Sequence, residues 1–263
     1  TRTRRQRQMC IRDSQYTLDT AFDISSKNAG SEEKLALNPA GDPISNQTDD
    51  ITFNNDGTKL FAISDNGAMN IHILSTPYDI SDATLVADDG INWRTYKEPW
   101  GSSNTTMLPQ TIRFNNDGTK MYLTEAVINT TDPQESVGVV QYNLATPFVP
   151  SSTTTVQVLN LRAQFPKTNI AIHAMNFDDD GTRMYVSAGN FLAKTDHPHA
   201  VYELSMPFEI SSAKHVGTFN FVNASGGGVR AVGGVFSDDG NKYYMTTGSG
   251  DSVVEYTLTC PFG

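Results

Sequence analysis

The chain has 263 residues, with 19 Lys and Arg against 29 Asp and Glu, and a formal net charge of −10. That length can bury a large core in one repeat domain, while no apolar run approaches the ~18 residues of a membrane-spanning helix, so no membrane span is expected. The acidic balance argues against neutralising a duplex phosphate backbone, and no nucleic-acid partner is expected.

Residues 1–14 differ in composition from the rest of the chain. They hold five Arg and one Asp, so the remainder carries 14 basic and 28 acidic residues, a balance of −14. They lack the apolar stretch of a signal peptide, and Met9-Cys-Ile-Arg-Asp-Ser14 resembles translated sequencing-adapter readthrough. A non-native or disordered basic segment is expected over 1–14; the other reading is a basic arm for nucleic acid or membrane. Cys10 lies here, and Cys260 takes a position filled by Thr76, Thr146 and Met206 elsewhere, so no disulfide framework is implied.

Gln15-Tyr-Thr-Leu18, followed by Phe22-Asp-Ile-Ser25, reads as a strand and its exit, and Glu33–Leu37 as the next strand. Then comes a nine-residue motif in four copies: Phe53–Phe61, Phe114–Tyr122, Phe177–Tyr185 and Phe236–Tyr244, with steps of 61, 63 and 59 residues. A fixed period of this size marks a repeat architecture. Asp56-Gly57, Asp117-Gly118, Asp180-Gly181 and Asp239-Gly240 sit between two short apolar runs and read as tight hairpin turns. Each hairpin, strands a and b, is followed by a strand c that runs into a Pro: His72–Pro77, Gln141–Pro147, Val201–Pro207 and Glu255–Pro261. Thr84–Ala87, Thr155–Leu159 and His215–Phe221 supply a strand d. Four antiparallel strands per ~60 residues, repeated radially, form the blade of a β-propeller.

The pairing of Phe-x-x-Asp-Gly-Thr-Lys-Met-Tyr with Tyr-x-Leu-Ser-Thr-Pro-Phe-Asp-Ile-Ser resembles a tandem propeller repeat of secreted bacterial proteins and of phage or marine-virus structural proteins, and more loosely lactonase-like propellers. The resemblance covers residues 15–263. The expected fold is all-β, a β-propeller of four-stranded antiparallel blades with four to five blades present. The strand count runs two, twelve, three, which suggests an arc of a larger ring. The alternative is that Glu33–Leu37 completes the last blade and closes a small ring.

Turns a–b and c–d share one face of such a fold, and the b–c and d–a loops share the other; d–a loops are long in every blade and b–c loops in two, Thr124–Gly138 and Ser187–His199, so a site is expected on that loop-bearing face. Trp93, Tyr96 and Trp100 lie in one d–a loop with Arg94, Lys97 and Glu98. Exposed aromatics there would stack on sugar rings or anchor a protein partner, with Arg230 contributing; the other reading is a local hydrophobic plug. Just before strand a lie Asp49, Asp50, Gln110 and His173. Asp49, Asp50 and His173 could hold a divalent cation whose bound water hydrolyses an ester or lactone. Lactonase-like propellers place a metal at the channel mouth, but their Glu and Asn ligand set has no match here. The other reading is a hydrogen-bonded polar funnel.

His197-Pro-His199 reads as a solvated loop or a metal pair, and Asp178-Asp-Asp-Gly181 as a turn or a calcium loop. Gly226-Gly-Gly228 lacks the Lys and helix of a phosphate cradle, and no nucleophile elbow occurs. The leading expectation is a non-enzymatic extracellular or virion-associated binding module without cofactor. Its partners would be a glycan or protein ligand and neighbouring blades of a longer chain. The alternative is a metal-dependent lactonase-like hydrolase.

Overall fold

The structure is a computed structural model that describes residues 12–37, 48–64, 67–88, 91, 93, 107–127, 137–165, 170–190, 198–220, 231–237, 239–247 and 252–259. Three stretches each fold into four sequential antiparallel strands. Blade I holds β3 (Thr48–Phe53), β4 (Lys59–Ser64), β5 (Met69–Ile73) and β6 (Thr84–Asp88). Blade II holds β7 (Met107–Phe114), β8 (Lys120–Val127), β9 (Gly138–Leu144) and β10 (Thr153–Asn160). Blade III holds β11 (Ile170–Phe177), β12 (Arg183–Asn190), β13 (Pro198–Leu204) and β14 (Ala213–Asn220). Blade IV holds β15 (Ala231–Phe236), β16 (Lys242–Thr247) and β17 (Ser252–Thr257). A separate pair, β1 (Arg12–Gln15) and β2 (Glu33–Ala36), precedes them. The protein is an all-β propeller. Among the described residues only short 3-10 turns interrupt it, and no helix is long and apolar enough to cross a membrane.

Each a–b hairpin forms because one carboxylate organises its own turn. Gly57 donates its N–H to Asn54 O at 3.1 Å, Gly118 to Asn115 O at 3.0 Å, Gly181 to Asp178 O at 3.1 Å and Gly240 to Ser237 O at 2.8 Å. The expected turn is therefore centred one step earlier than Asp-Gly: Asn55 and Asp56 form its middle, and Gly57 follows in the left-handed region at φ 71°. Asp56 Oδ1 accepts the Thr58 N–H at 3.0 Å, and Asp117 and Asp180 repeat this with Thr119 and Thr182 at 2.9 and 3.0 Å. The same bonds answer the calcium reading. Asp178 accepts the Arg183 N–H at 2.9 Å, so both carboxylates of Asp178 and Asp180 are turned onto their own turn.

The aromatic after the strand-c Pro has a special role that its sequence position does not reveal. Tyr78, Phe148 and Phe208 are left-handed, at φ 62°, 54° and 57°. Each donates its N–H to the turn glycine's carbonyl, at 2.9, 3.0 and 2.9 Å, and lays its ring on that glycine. A Cβ at Gly57, Gly118 or Gly181 would come within 2.4, 2.3 and 2.3 Å of the ring.

The same ring touches the repeat Phe: Phe53–Tyr78, Phe114–Phe148 and Phe177–Phe208 have centroids 5.3, 5.3 and 5.2 Å apart. Three of the repeat Phe residues then meet strand b of the preceding blade. Phe61–Phe114, Tyr122–Phe177 and Tyr185–Phe236 lie 4.7, 4.8 and 4.6 Å apart. The core is thus a series of blade-to-blade layers. Phe61, Ile63, Met69, Ile112, Met121, Val140 and Tyr142 fill the one between blades I and II. Tyr122, Val139, Ile172, Met175, Met184 and Val186 fill the one between II and III. Strands apolar on both faces, as in Leu60–Ile63, are what such stacking requires.

Polar latches order the sectors. Gln141 Oε1 on β9 accepts the Ile210 N–H of blade III at 3.0 Å, and Tyr122 Oη donates to Phe208 O at 2.5 Å. Blade IV makes the same contacts with the segment between β1 and β2. Ile24 N donates to Glu255 Oε2 at 3.4 Å, and Tyr244 Oη donates to Phe22 O. Gln15 of β1 in turn accepts the Ile80 N–H of blade I at 2.9 Å and donates to Tyr78 O at 2.7 Å. β1 and β2 therefore occupy the c and d places of a sector between blades IV and I, with Leu35 and Leu37 packed against Leu60, Leu74 and Ile80. This corrects the alternative in which Glu33–Leu37 completes the last blade: β2 pairs with β1. The pairing begins at Arg12, three residues before the expected boundary at Gln15, while residues 1–11 lie outside the described residues.

Candidate functional site

The two ends of the blades differ. The a–b connections are uniform, at 54–58, 115–119, 178–182 and 237–241, whereas the d–a connections include 89–106 and 221–230. Strand a, the innermost of each blade, carries a bulge just before the loop-bearing end. The register skips one residue at Asp49, Gln110, His173 and Val232. Bulges bend a strand and re-aim a side chain, so the positions singled out in the sequence share one structural cause.

Below the bulges a polar line crosses the inner strands. Asp50 on β3 pairs with Arg113 on β7 and accepts the Ile112 N–H at 3.0 Å. Arg113 Nη1 also donates to Ile112 O at 2.6 Å, and its Nε to Asn176 Oδ1 on β11 at 3.4 Å. Asn176 Nδ2 donates to Gly234 O on β15 at 2.7 Å. Thr111 and Thr124 share a hydrogen bond of 2.7 Å, and Thr124 donates to Ile172 O at 3.0 Å. Burial pushes the Asp50 carboxyl above the usual carboxylate range, and the Arg113 charge with the Ile112 amide pulls it back. Sequence reasoning misses this brace. Its signal is Arg113, a lone charge directly before Phe114 in an otherwise uncharged strand.

The expected cation site does not assemble. Asp49 and Asp50 sit on β3 and His173 on β11, with β7 between them, and Asp50 is engaged by Arg113. Among the described residues no three His, Cys, Asp or Glu side chains are grouped to hold a metal. His199 is buried within β13, its Nδ1 2.6 Å from Ser187 Oγ and its ring stacked on Phe219, which corrects the solvated-loop reading; His197 lies outside the described residues.

Trp93 is the plug rather than an exposed platform. It is 1% exposed, its N–H donates to Gly67 O at 2.8 Å, and its ring meets Tyr142 edge-on at 5.2 Å in the layer between blades I and II. A large apolar ring gains more from that layer than from water. Tyr96, Trp100 and Arg230 lie outside the described residues.

No family model and no curated protein matches the chain. Solved structures similar to it include a candidate 6-phosphogluconolactonase from Bacteroides uniformis, at 15% identity and TM-score 0.46 over 93% of this chain and 60% of that one. Another is the β-propeller domain of Myceliophteria thermophila Cps50 (Swd1), at 11% identity and TM-score 0.43 over 87% and 60%. A third is Kuenenia stuttgartiensis hydrazine synthase, at 10% identity and TM-score 0.42 over 79% and 52%. The chain thus spans 60% of the length of the first two. The propeller assignment rests on the blades themselves.

Proposed function

We propose that this chain is a non-enzymatic binding and structural propeller module, extracellular or virion-associated, whose loop-bearing end engages a glycan or protein ligand. The observation that carries the reading is the asymmetry of the connections. The a–b turns are uniform and minimal, whereas the longest connection between blades, 89–106, joins strand d to strand a at the other end of a braced scaffold, where binding residues are usually placed. Trp93, which precedes Tyr96 and Trp100 in sequence, supports it by giving that connection one anchor in the layer between blades I and II. The repeat's resemblance to secreted bacterial and viral propellers supports the location.

A glycan panel and a pull-down from host-surface protein test the reading. Replacing Tyr96 and Trp100 together with Ala is expected to remove binding by about tenfold or more while leaving the melting temperature unchanged. Trp93→Ala is expected to cost about 3–5 kcal/mol of stability, as a large core truncation does. A double variant that binds as the parent does would overturn the site. The metal-dependent hydrolase alternative is not adopted, because Asp50 is already paired with Arg113. Calorimetric titration of calcium, manganese or zinc giving micromolar binding, lost in Asp50→Asn, would reinstate it.

A further inference from the structure

The layers between blades I and II, II and III, and III and IV can be compared place by place. Aligned on the repeat Phe and on the repeat Leu of strand c, four places recur in each. Between blades I and II they hold Ile63, Met69, Ile112 and Met121, all apolar and buried. Between II and III they hold Thr124, Val139, Met175 and Met184, and Thr124 engages its hydroxyl with Thr111 and Ile172 O. Between III and IV all four differ in kind: Ser187, His199, Gly234 and Tyr243.

These four depend on one another. Ser187 Oγ lies 2.6 Å from His199 Nδ1, and Tyr243 hydrogen-bonds Ser187. The His199 ring stacks on Phe219 and meets Tyr243 edge-on at 6.3 Å. Glycine is required opposite them, because a Cβ at Gly234 would lie 2.0 Å from the Tyr243 hydroxyl. Ser187, His199 and Tyr243 are each 3% exposed. A line of hydroxyl, hydroxyl and imidazole thus takes the place of an aliphatic contact, in surroundings where polar groups must satisfy one another.

We infer that this seam is an acid-sensitive joint, in which protonation of His199 loosens blade IV from blade III. A neutral imidazole accepts at Nδ1 from the Ser187 hydroxyl. A protonated ring must donate there, so the Ser187 hydroxyl has to turn and the line through Tyr243 rearranges. The new charge also lies against Phe219 in an apolar layer, where it costs far more than in water. Among the described residues, the titratable groups facing the seam near His199 are Tyr185 of β12, Tyr243 of β16 and Tyr256 of β17, phenols that burial holds above their usual range. Arg183, Glu203 and Lys214 face it from the far ends of β12, β13 and β14, and Arg113 of β7 brings a positive charge towards Tyr243. Imidazole in water takes its proton near ~6.5, so stability held by the neutral ring is complete above that value and is lost as pH falls through it. This inference stands apart from the ligand reading, since it concerns a buried seam and not the loops.

Amide exchange of the full chain, corrected for the intrinsic rate, tests the joint at about one pH unit above and one below the imidazole value. Protection of β16, Lys242–Thr247, is expected to fall about tenfold or more at the lower pH. His199→Gln, whose amide can still bond Ser187 but takes no charge, should hold that protection at both values. The joint substitution Ser187→Thr, His199→Val, Gly234→Met and Tyr243→Met installs the layer found between blades II and III and should do the same. Equal protection of β16 at the two values in the unaltered chain overturns the inference without any variant. So does a loss in either folded variant as large as the parent's, which would place the titrating group elsewhere.

Discussion

Glycine at positions 57, 118 and 181 meets two demands at once: a left-handed backbone, and a flat surface for the aromatic ring that follows strand c. Gly118→Ala is therefore expected to cost at least about 1–3 kcal/mol in urea unfolding, since strain at a positive φ is joined by displacement of Phe148. An unchanged midpoint would show that the ring does not rest on the turn. The turn carboxylates predict an acid response. Hydrogen bonds from Thr58, Thr119 and Thr182 hold Asp56, Asp117 and Asp180 below the ordinary 3.8, and Ser237 with Asn241 brings Asp239 to about 2. A depressed folded pKa adds stability above the ordinary value and loses it as pH falls through the folded one. The melting temperature should drop between about pH 4 and pH 2, and Asp117→Asn should flatten that slope. A melting temperature constant across the window would count against this account.

Blades adhere through apolar layers, and a polar latch joins them where strand c carries Gln15, Gln141 or Glu255. Gln141 satisfies the buried Ile210 amide, while Asn143 and Glu209 hold its side-chain amide at 2.9 and 3.1 Å. Gln141→Ala leaves that amide without its acceptor, a loss of about 1–3 kcal/mol. Faster exchange of the Ile210 amide is the local readout, and an unaltered rate would dismiss the latch. Ile71 and Val201 take the aligned place in blades I and III, where an aliphatic side chain cannot make this bond. Latches therefore strengthen particular sector boundaries rather than all of them.

Across the whole molecule, the Asp50–Arg113–Asn176 line ties the inner strands of all four blades together. Arg113→Met should cost about 3 kcal/mol, the lower end for a broken buried pair because both side chains keep some exposure, at 18% and 17%. The remaining carboxyl is one whose folded pKa burial already raises. A raised value favours the folded state at low pH and loses that contribution as pH rises through it, so the penalty should be smaller at pH 4.5 than at pH 7. Denaturant unfolding at the two pH values tests this; an equal loss at both would mean that Asp50 carries no charge the guanidinium must balance.

The period, the turns and the strand succession were legible in the sequence because they depend on neighbours a few residues apart. Asp organises its own hairpin, Pro ends strand c, and doubly apolar runs demand stacked sheets. The rest depends on residues far apart in the chain, from 49 positions for Trp93 and Tyr142 to 231 for Ile24 and Glu255. Trp93 and Tyr96 share one loop, and only the layer against Tyr142 turns Trp93 inward. Asp50 resembles a metal ligand until Arg113 arrives from the next blade. Gln15 and Glu255 look like ordinary strand polar residues until the ring brings each against a neighbouring linker. Local sequence chose the blade, and the closing of blade on blade decided which polar groups were used up in holding it together.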